Sequence, residues 1–330
     1  MKERLGYIDI AKGIGIILVI LSHTDYPELM YYTSPFFVPI FFFCSGYTSS
    51  RKDTSLNTCI KRQVTKLLKP YIFFSLFLLI YFHNFSLRAI VGIFYSRYSL
   101  YPFGTEPDIF RLMIVGNYPM WFLTCMAITY VLYGFLIYYP KHHFYLAAIY
   151  IVITFCATFF PILLPWSIDT APLMAVIMFC GTLLKRYVPE IYNNKKPHTL
   201  TILSVILYFL MLPFCHDINI SVRMFGPSMF IYLITTITGC ILLTYLSRLI
   251  QGTFIGKILK QIGIHSLSIF CIEIPFIIIG KDMAILSLKQ YPQMLLPEVI
   301  AFIQLIIALI GGLVISIIIQ SNKYTKRIVS

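Results

Sequence analysis

Runs of about twenty apolar residues, the length that crosses a bilayer as a helix, recur from one end of this 330-residue chain to the other. Such runs leave few choices. In hydrocarbon every backbone N–H and C=O must be satisfied within the chain, so the runs must be helices packed on one another. Ten are read, at about 6–24, 35–50, 70–84, 119–139, 144–161, 171–187, 199–215, 227–248, 263–280 and 297–320. The expected fold class is all-α, a polytopic membrane protein with about ten transmembrane helices. Only 12% of the residues are charged against 58% hydrophobic, a balance no soluble domain keeps. The first run lacks a small-residue cleavage site behind a short apolar core, so it is expected to remain as the first span.

Ten spans put both termini on one side. Assigning the connections alternately places 19 of the 26 Lys+Arg on that side, six on the other and Lys12 within a span. Cytoplasmic connections carry the excess of Lys and Arg, so both termini are expected in the cytoplasm. The net charge of +13 is accounted for in this way, with the bilayer as partner and no nucleic acid. The most basic stretch runs from Arg51 to Lys69, with Asp53 as its single acid. On the other side, residues 85–118 hold "FSLRAIVGIFYSRY", which reads as an interfacial amphipathic helix, and turn-forming "YPFGTEP". The eight cysteines form no C-x-x-C pair and mostly sit in apolar runs, where they act as small hydrophobes. Neither a disulfide framework nor a metal site is expected. With no repeat or low-complexity tract, residues 1–330 read as one membrane domain.

Against this background the ionisable residues inside spans stand out, because each costs at least about 2.5–3.5 kcal/mol on insertion scales. Lys12 and His23 are eleven residues apart, close to three helical turns, which sets them on one face about 16 Å apart. Asp9 precedes Lys12 by three and shares that face. The stripe either faces a protein or water-filled cavity, or consists of a structural Asp9–Lys12 pair and an interfacial His23. The cations Lys61, Arg62, Lys66 and Lys69 precede an X-Pro helix start at Pro70. They are either positive-inside anchors or an anion site for cytosolic phosphates, helped by the unpaired N–H groups of that helix end. Glu273, in the ninth span, either hydrogen-bonds an acceptor or bridges helices as a protonated carboxyl. Trp121 and Trp166 suit an interfacial belt or a sugar platform, and Asp169 is an acceptor candidate on the outer side. No role is read for His83, His142, His143, His198 or His216.

At these residues the chain resembles a family. Lys12 and His23 are similar to the Lys/Arg-x10-His signature of the acyltransferase 3 family of integral membrane acyltransferases, and "PIFFFCSGY" resembles its second-span motif. "MWFLTCMAI" resembles its Trp-Phe-Leu segment and "IGIHSLSIFCIEIPF" its penultimate-span motif. "LPWSIDTAPLMAVIMFCGTLLKR" resembles the fucose 4-O-acetylase-like, polysaccharide O-acetyltransferase branch. The matches run in family order over nearly the whole chain. Two departures are visible. The third-span Arg-x-x-Arg falls on Gln63 and Lys66, with Arg62 one residue off, and many relatives carry a His where this chain has Glu273.

The resemblance implies an acyl-CoA donor, usually acetyl-CoA, reaching a multi-pass protein of the bacterial inner membrane from the cytoplasm, and a hydroxyl acceptor on a saccharide or glycolipid. His23 is then the catalytic residue, either as general base or as acyl-carrying nucleophile. Lys12 would stabilise developing charge or hold the polar channel together, and Asp25 would orient the imidazole or cap the loop. Arg62, Lys66 and Lys69 take the CoA phosphates, and Glu273, Trp121 and Asp169 are the candidates for the acceptor. The competing class is an exporter of a glycan or lipid, with the stripe lining its path. Duplicated halves of the kind transporter repeats show are not seen.

Overall fold

The computed structural model describes residues 5–24, 26, 28–49, 55–97, 99–102, 118–189, 191, 198–289, 296–322 and 325. Thirteen α-helices and one two-stranded hairpin run among them. In order they are α1 (Gly6–Ser22), α2 (Glu28–Thr33), α3 (Pro39–Thr48), α4 (Leu56–Tyr81), α5 (Leu87–Tyr95), α6 (Trp121–Tyr138) and α7 (His143–Thr158). There follow α8 (Ala171–Tyr187), α9 (Thr199–Met211), β1 (Ile218–Asn219), β2 (Met224–Phe225), α10 (Met229–Leu249), α11 (Phe254–Ile264), α12 (Ser266–Leu288) and α13 (Pro297–Ser321). Helix starts carry the expected chemistry. Ser55, Ser86, Ser228 and Thr253 accept hydrogen bonds from backbone N–H groups two or three residues into their helices, and Pro39 and Pro297 stand at first helical positions.

The protein is an all-α, polytopic membrane protein. Each of the ten apolar segments carries a helix, but length separates them. Among the described residues five helices, Leu56–Tyr81, Trp121–Tyr138, Pro165–Tyr187, Met229–Leu249 and Pro297–Ser321, are long and apolar enough to cross a membrane. The pair α11 and α12 makes a sixth if it is one span, bent by 84°. Two expectations are corrected here. The helix expected from residue 70 begins at Leu56 and runs through Pro70, so the cations at 61–69 lie within α4 and meet no helix N-terminus. The ninth segment is broken at His265, whose Nδ1 is held by Ser316 Oγ at 2.8 Å and by the Gln320 amide at 3.1 Å.

Polarity is distributed as a bilayer requires. Ile72, Leu76 and Ile80 of α4 and Phe302, Ile310, Val314 and Ile317 of α13 point outward. Inside, several buried hydroxyls are satisfied on their own helices, as with Thr244 on the Cys240 carbonyl at 2.7 Å and Ser247 on the Leu243 carbonyl at 2.8 Å. Small residues then let backbones meet, since lipid supplies no hydrophobic push between helices. At the α3–α8 crossing a Cβ on Gly46 would lie 1.7 Å from the Met178 carbonyl oxygen. The two helices pass at backbone contact, and Thr182 Oγ1 donates to the Gly46 carbonyl at 2.9 Å. At α1–α11 a Cβ on Gly263 would lie 1.8 Å from the Asp9 carbonyl oxygen.

Helix α5 forms within the segment expected to hold an amphipathic helix, over Leu87–Tyr95. Its apolar face is left outward, with Leu87 at 76% and Phe94 at 75% exposure, too much for a soluble surface and suited to the bilayer boundary.

Candidate active site

His23 follows the last residue of α1 and caps it. Its N–H donates to the Ile20 carbonyl at 3.0 Å, while Ser22 Oγ donates to Val19 and Thr24 Oγ1 to Leu21. The end of α1 is thereby closed by its own side chains, and the imidazole is set at a fixed place beside α12. Its Nδ1 lies 3.1 Å from Glu273 Oε1, with the two side chains 16% and 0% exposed. The contact is at ion-pair distance without the alignment of a hydrogen bond, and Glu273 Oε2 has no hydrogen-bond partner among the described residues. A carboxylate sealed in the interior costs several kcal/mol unless a cation or donor faces it. Here His23 faces it. Nε2 is the ring nitrogen on the side away from Glu273.

His23 and Lys12 line one cavity of about 550 Å3, within the roughly 300–1,000 Å3 of small-molecule sites. The stripe therefore borders a cavity. Its polar lining includes the hydroxyls of Ser22, Ser34, Ser45 and Ser266. Trp121, 7% exposed, and Phe122 form an aromatic wall, with Phe122 packed edge-on against Phe41 and Phe42 at centroid distances of 5.7 and 5.2 Å. Asp9 is buried and stands outside the lining.

Part of the lining is the segment 218–221, which begins at β1 and turns back into β2. Behind it lies a buried ion cluster. Asp169 Oδ1 pairs with Arg97 Nη2, and Asp169 Oδ2 pairs with Arg223 Nη1 at 2.9 Å and accepts from Leu164 N at 3.1 Å. Arg97 donates also to the carbonyls of Leu164, at 3.0 Å, and of Ser221; Arg223 donates to those of Ile162, at 3.2 Å, and of Phe160. All three side chains are within 4% of complete burial. Burial lowers the pKa of the Arg97 guanidinium from its ordinary value, against the pull of Asp169. Four of the six described non-glycine residues with left-handed backbone, Ser96, Trp166, Ser167 and Arg223, belong to or flank this cluster. Each costs roughly 1 kcal/mol or more.

Several expectations change in consequence. Asp169 does not face the cavity: both its oxygens are taken by arginines, which makes it an anchor of the outer loops in place of an acceptor contact. Glu273 has no exposed surface, stands outside the cavity lining and meets His23, so it does not present itself to an acceptor there. Trp121 is in the lining. Arg62, Lys66 and Lys69 are exposed on α4, which contributes only Leu67 to the cavity, so the basic cluster and His23 are separate features. Asp25 lies outside the described residues. Arg97, Arg223 and Asn219 were missed. Nothing in the sequence sets Arg97 apart from Arg88 and Arg111 in the same connection, and Arg223 and Asn219 carry no motif.

A family model described as an acyltransferase domain matches residues 5–320. The chain belongs to the acyltransferase 3 family. As a member of that family it is a membrane acyltransferase, and the sequence resemblance through Lys12 and His23 is borne out at family level. Neither the curated proteins nor the solved structures compared with this acyltransferase gave a match. Within the acyltransferase 3 chain, the histidine of the signature thus lines a cavity of about 550 Å3 and stands against a buried carboxylate.

Proposed function

We propose that this acyltransferase moves an acetyl group from cytosolic acetyl-CoA to a hydroxyl of a cell-surface or lipid-linked saccharide, as a multi-pass protein of a bacterial inner membrane with both termini in the cytoplasm. The observation that carries the reading is His23 in the cavity wall with Glu273 at 3.1 Å behind it. A hydroxyl brought to Nε2 gives up its proton to the imidazole as its oxygen attacks the thioester carbonyl. The tetrahedral intermediate collapses with loss of the CoA thiolate, which takes the proton back. Glu273 keeps the ring turned and balances the charge it gains, the part a carboxylate plays behind a catalytic histidine generally. Attack by His23 itself, forming an acyl-imidazole that the acceptor then cleaves, uses the same geometry.

Lys12, in the same lining, is a cation about 16 Å along α1 from His23, too far for the carbonyl undergoing attack. Its place suits the anionic or carbonyl groups of a long donor arm. The exposed Arg62, Lys66 and Lys69 suit the CoA phosphates where these remain in water. A translocation path is the reading that family membership displaces.

The test is acetyl-CoA consumption by the purified, detergent-solubilised chain with a mixture of saccharide acceptors. His23→Ala is expected to lower the rate per folded molecule about 10^2- to 10^4-fold, and to lower the melting temperature as well, because it leaves Glu273 buried without its partner. Equal rates in variant and wild type remove His23 from the reaction.

A further inference from the structure

The amide of Asn219 has its orientation fixed by a group that can only donate. Ser221 N–H points at Asn219 Oδ1 at 3.1 Å, and Ser221 Oγ lies 2.5 Å from the same oxygen. A backbone N–H requires an acceptor there, so the oxygen end is assigned by chemistry and Nδ2 must occupy the other end. No hydrogen bond holds Nδ2 among the described residues, and Asn219 is part-exposed in the lining of the cavity that contains His23. Two oriented N–H donors are thus presented at the acyl-transfer cavity.

The carrier of this amide is unusually stiff for an outer connection. The strands pair Ile218 with Phe225 and Asn219 with Met224. Arg97 binds the Ser221 carbonyl from below, and Arg223, at φ 61°, ties the turn to Asp169. Strained backbone and two buried arginines around one carboxylate are costly ways to hold a loop. Of the other serines in the lining, Ser22 and Ser45 already spend their O–H on the Val19 and Phe41 carbonyls, at 2.6 and 2.7 Å. A fixed amide discriminates, because a ligand that covers it without placing an oxygen at that spot takes its donors out of water and leaves them unpaired.

We propose that Asn219 is a specificity-determining residue that reads the acceptor, its Nδ2–H groups donating to ring or hydroxyl oxygens of a saccharide, with the Arg97–Asp169–Arg223 cluster as the anchor that keeps it aimed. The proposal rests on the acetyl-transfer reading above for the identity of the ligand that enters.

Asn219→Asp is the sharpest variant, since it keeps the oxygen that Ser221 needs and turns the two donors into an acceptor. Asn219→Ala serves if the aspartate misfolds. The full chain is supplied with acetyl-CoA and a panel of methyl hexopyranosides, 6-deoxyhexopyranosides and N-acetylhexosaminides. CoA release without glycoside, acetylated glycoside by mass spectrometry, and glycoside binding by the fluorescence of Trp121 are read separately. The expected result is a fall of about 10- to 100-fold in glycoside kcat/KM, with acceptor-independent CoA release within about twofold of wild type. Wild-type kcat/KM in both variants overturns the proposal. So does a wild-type chain that releases CoA yet neither binds nor acetylates any glycoside, and in that case acyl transfer still stands. Glycoside binding that is weakened in Asn219→Asp, without any use of acetyl-CoA, sustains Asn219 and sinks the donor. Inertness of the wild type to both sinks both.

Discussion

The pairing of His23 with Glu273 joins residues 250 positions apart, and no local pattern connects them. Each was visible alone, because an ionisable group in an apolar run is expensive and so conspicuous. Their contact was not. Proximity in sequence pointed to Asp25 as the carboxylate for His23, whereas the fold supplies one from α12. The same reason misplaced Asp169, whose arginines come from two distant connections. If Glu273 positions and balances the imidazole, Glu273→Gln keeps the shape and loses the charge. The acetyl-transfer rate should then fall about 10- to 10^3-fold with donor KM within about threefold, measured across pH 5 to 9. A mere bridge between helices predicts lower thermal stability with an unchanged rate and pH profile.

At the level of elements, helices were legible wherever apolar length and capping residues agreed, and α5 was legible from its periodicity. Pro70 misled, because a proline that starts one helix and a proline inside another have the same neighbours in sequence. The consequence is functional. The cations of α4 stand at successive turns of a continuous helix, exposed, so a donor phosphate would meet their charge without the help of a helix N-terminus. Replacing Arg62, Lys66 and Lys69 together by Gln should raise donor KM about 10-fold at low salt, shrink toward wild type near 0.5 M salt, and leave kcat within about twofold. Steady-state kinetics against acetyl-CoA at several ionic strengths reads this directly. The outer loops give a second expectation. Asp169→Asn leaves two guanidiniums buried without their carboxylate, a change of about 3–5 kcal/mol, and should appear as a marked drop in melting temperature in detergent.

For the whole molecule, composition and apolar runs were enough for an all-α membrane protein, yet they overstate what helix lengths alone support. A run reads as apolar whether it faces lipid along its length or is packed inside as a short helix, as α3 is with ten residues. The proposed arrangement, termini and basic α4 in the cytoplasm and the hairpin outside, makes a concrete expectation. A cysteine introduced at Arg62 should react with an impermeant maleimide only from the cytosolic side, and one at Asp217, 77% exposed beside the hairpin, only from outside. Labelling of both from one side removes the arrangement.

The cavity lining is mainly apolar, with a few serines and little charge. Water is itself a hydroxyl nucleophile, smaller than any alcohol and present at far higher concentration. A histidine that activates one will activate the other, and each such event would burn an acyl donor for nothing. On the proposed reaction, the segment 218–221 and the buried arginines beneath it would bear on thrift as much as on selection: how seldom the acyl group is lost to solvent would depend on how fully the proper alcohol, once seated, fills the cavity that His23 lines.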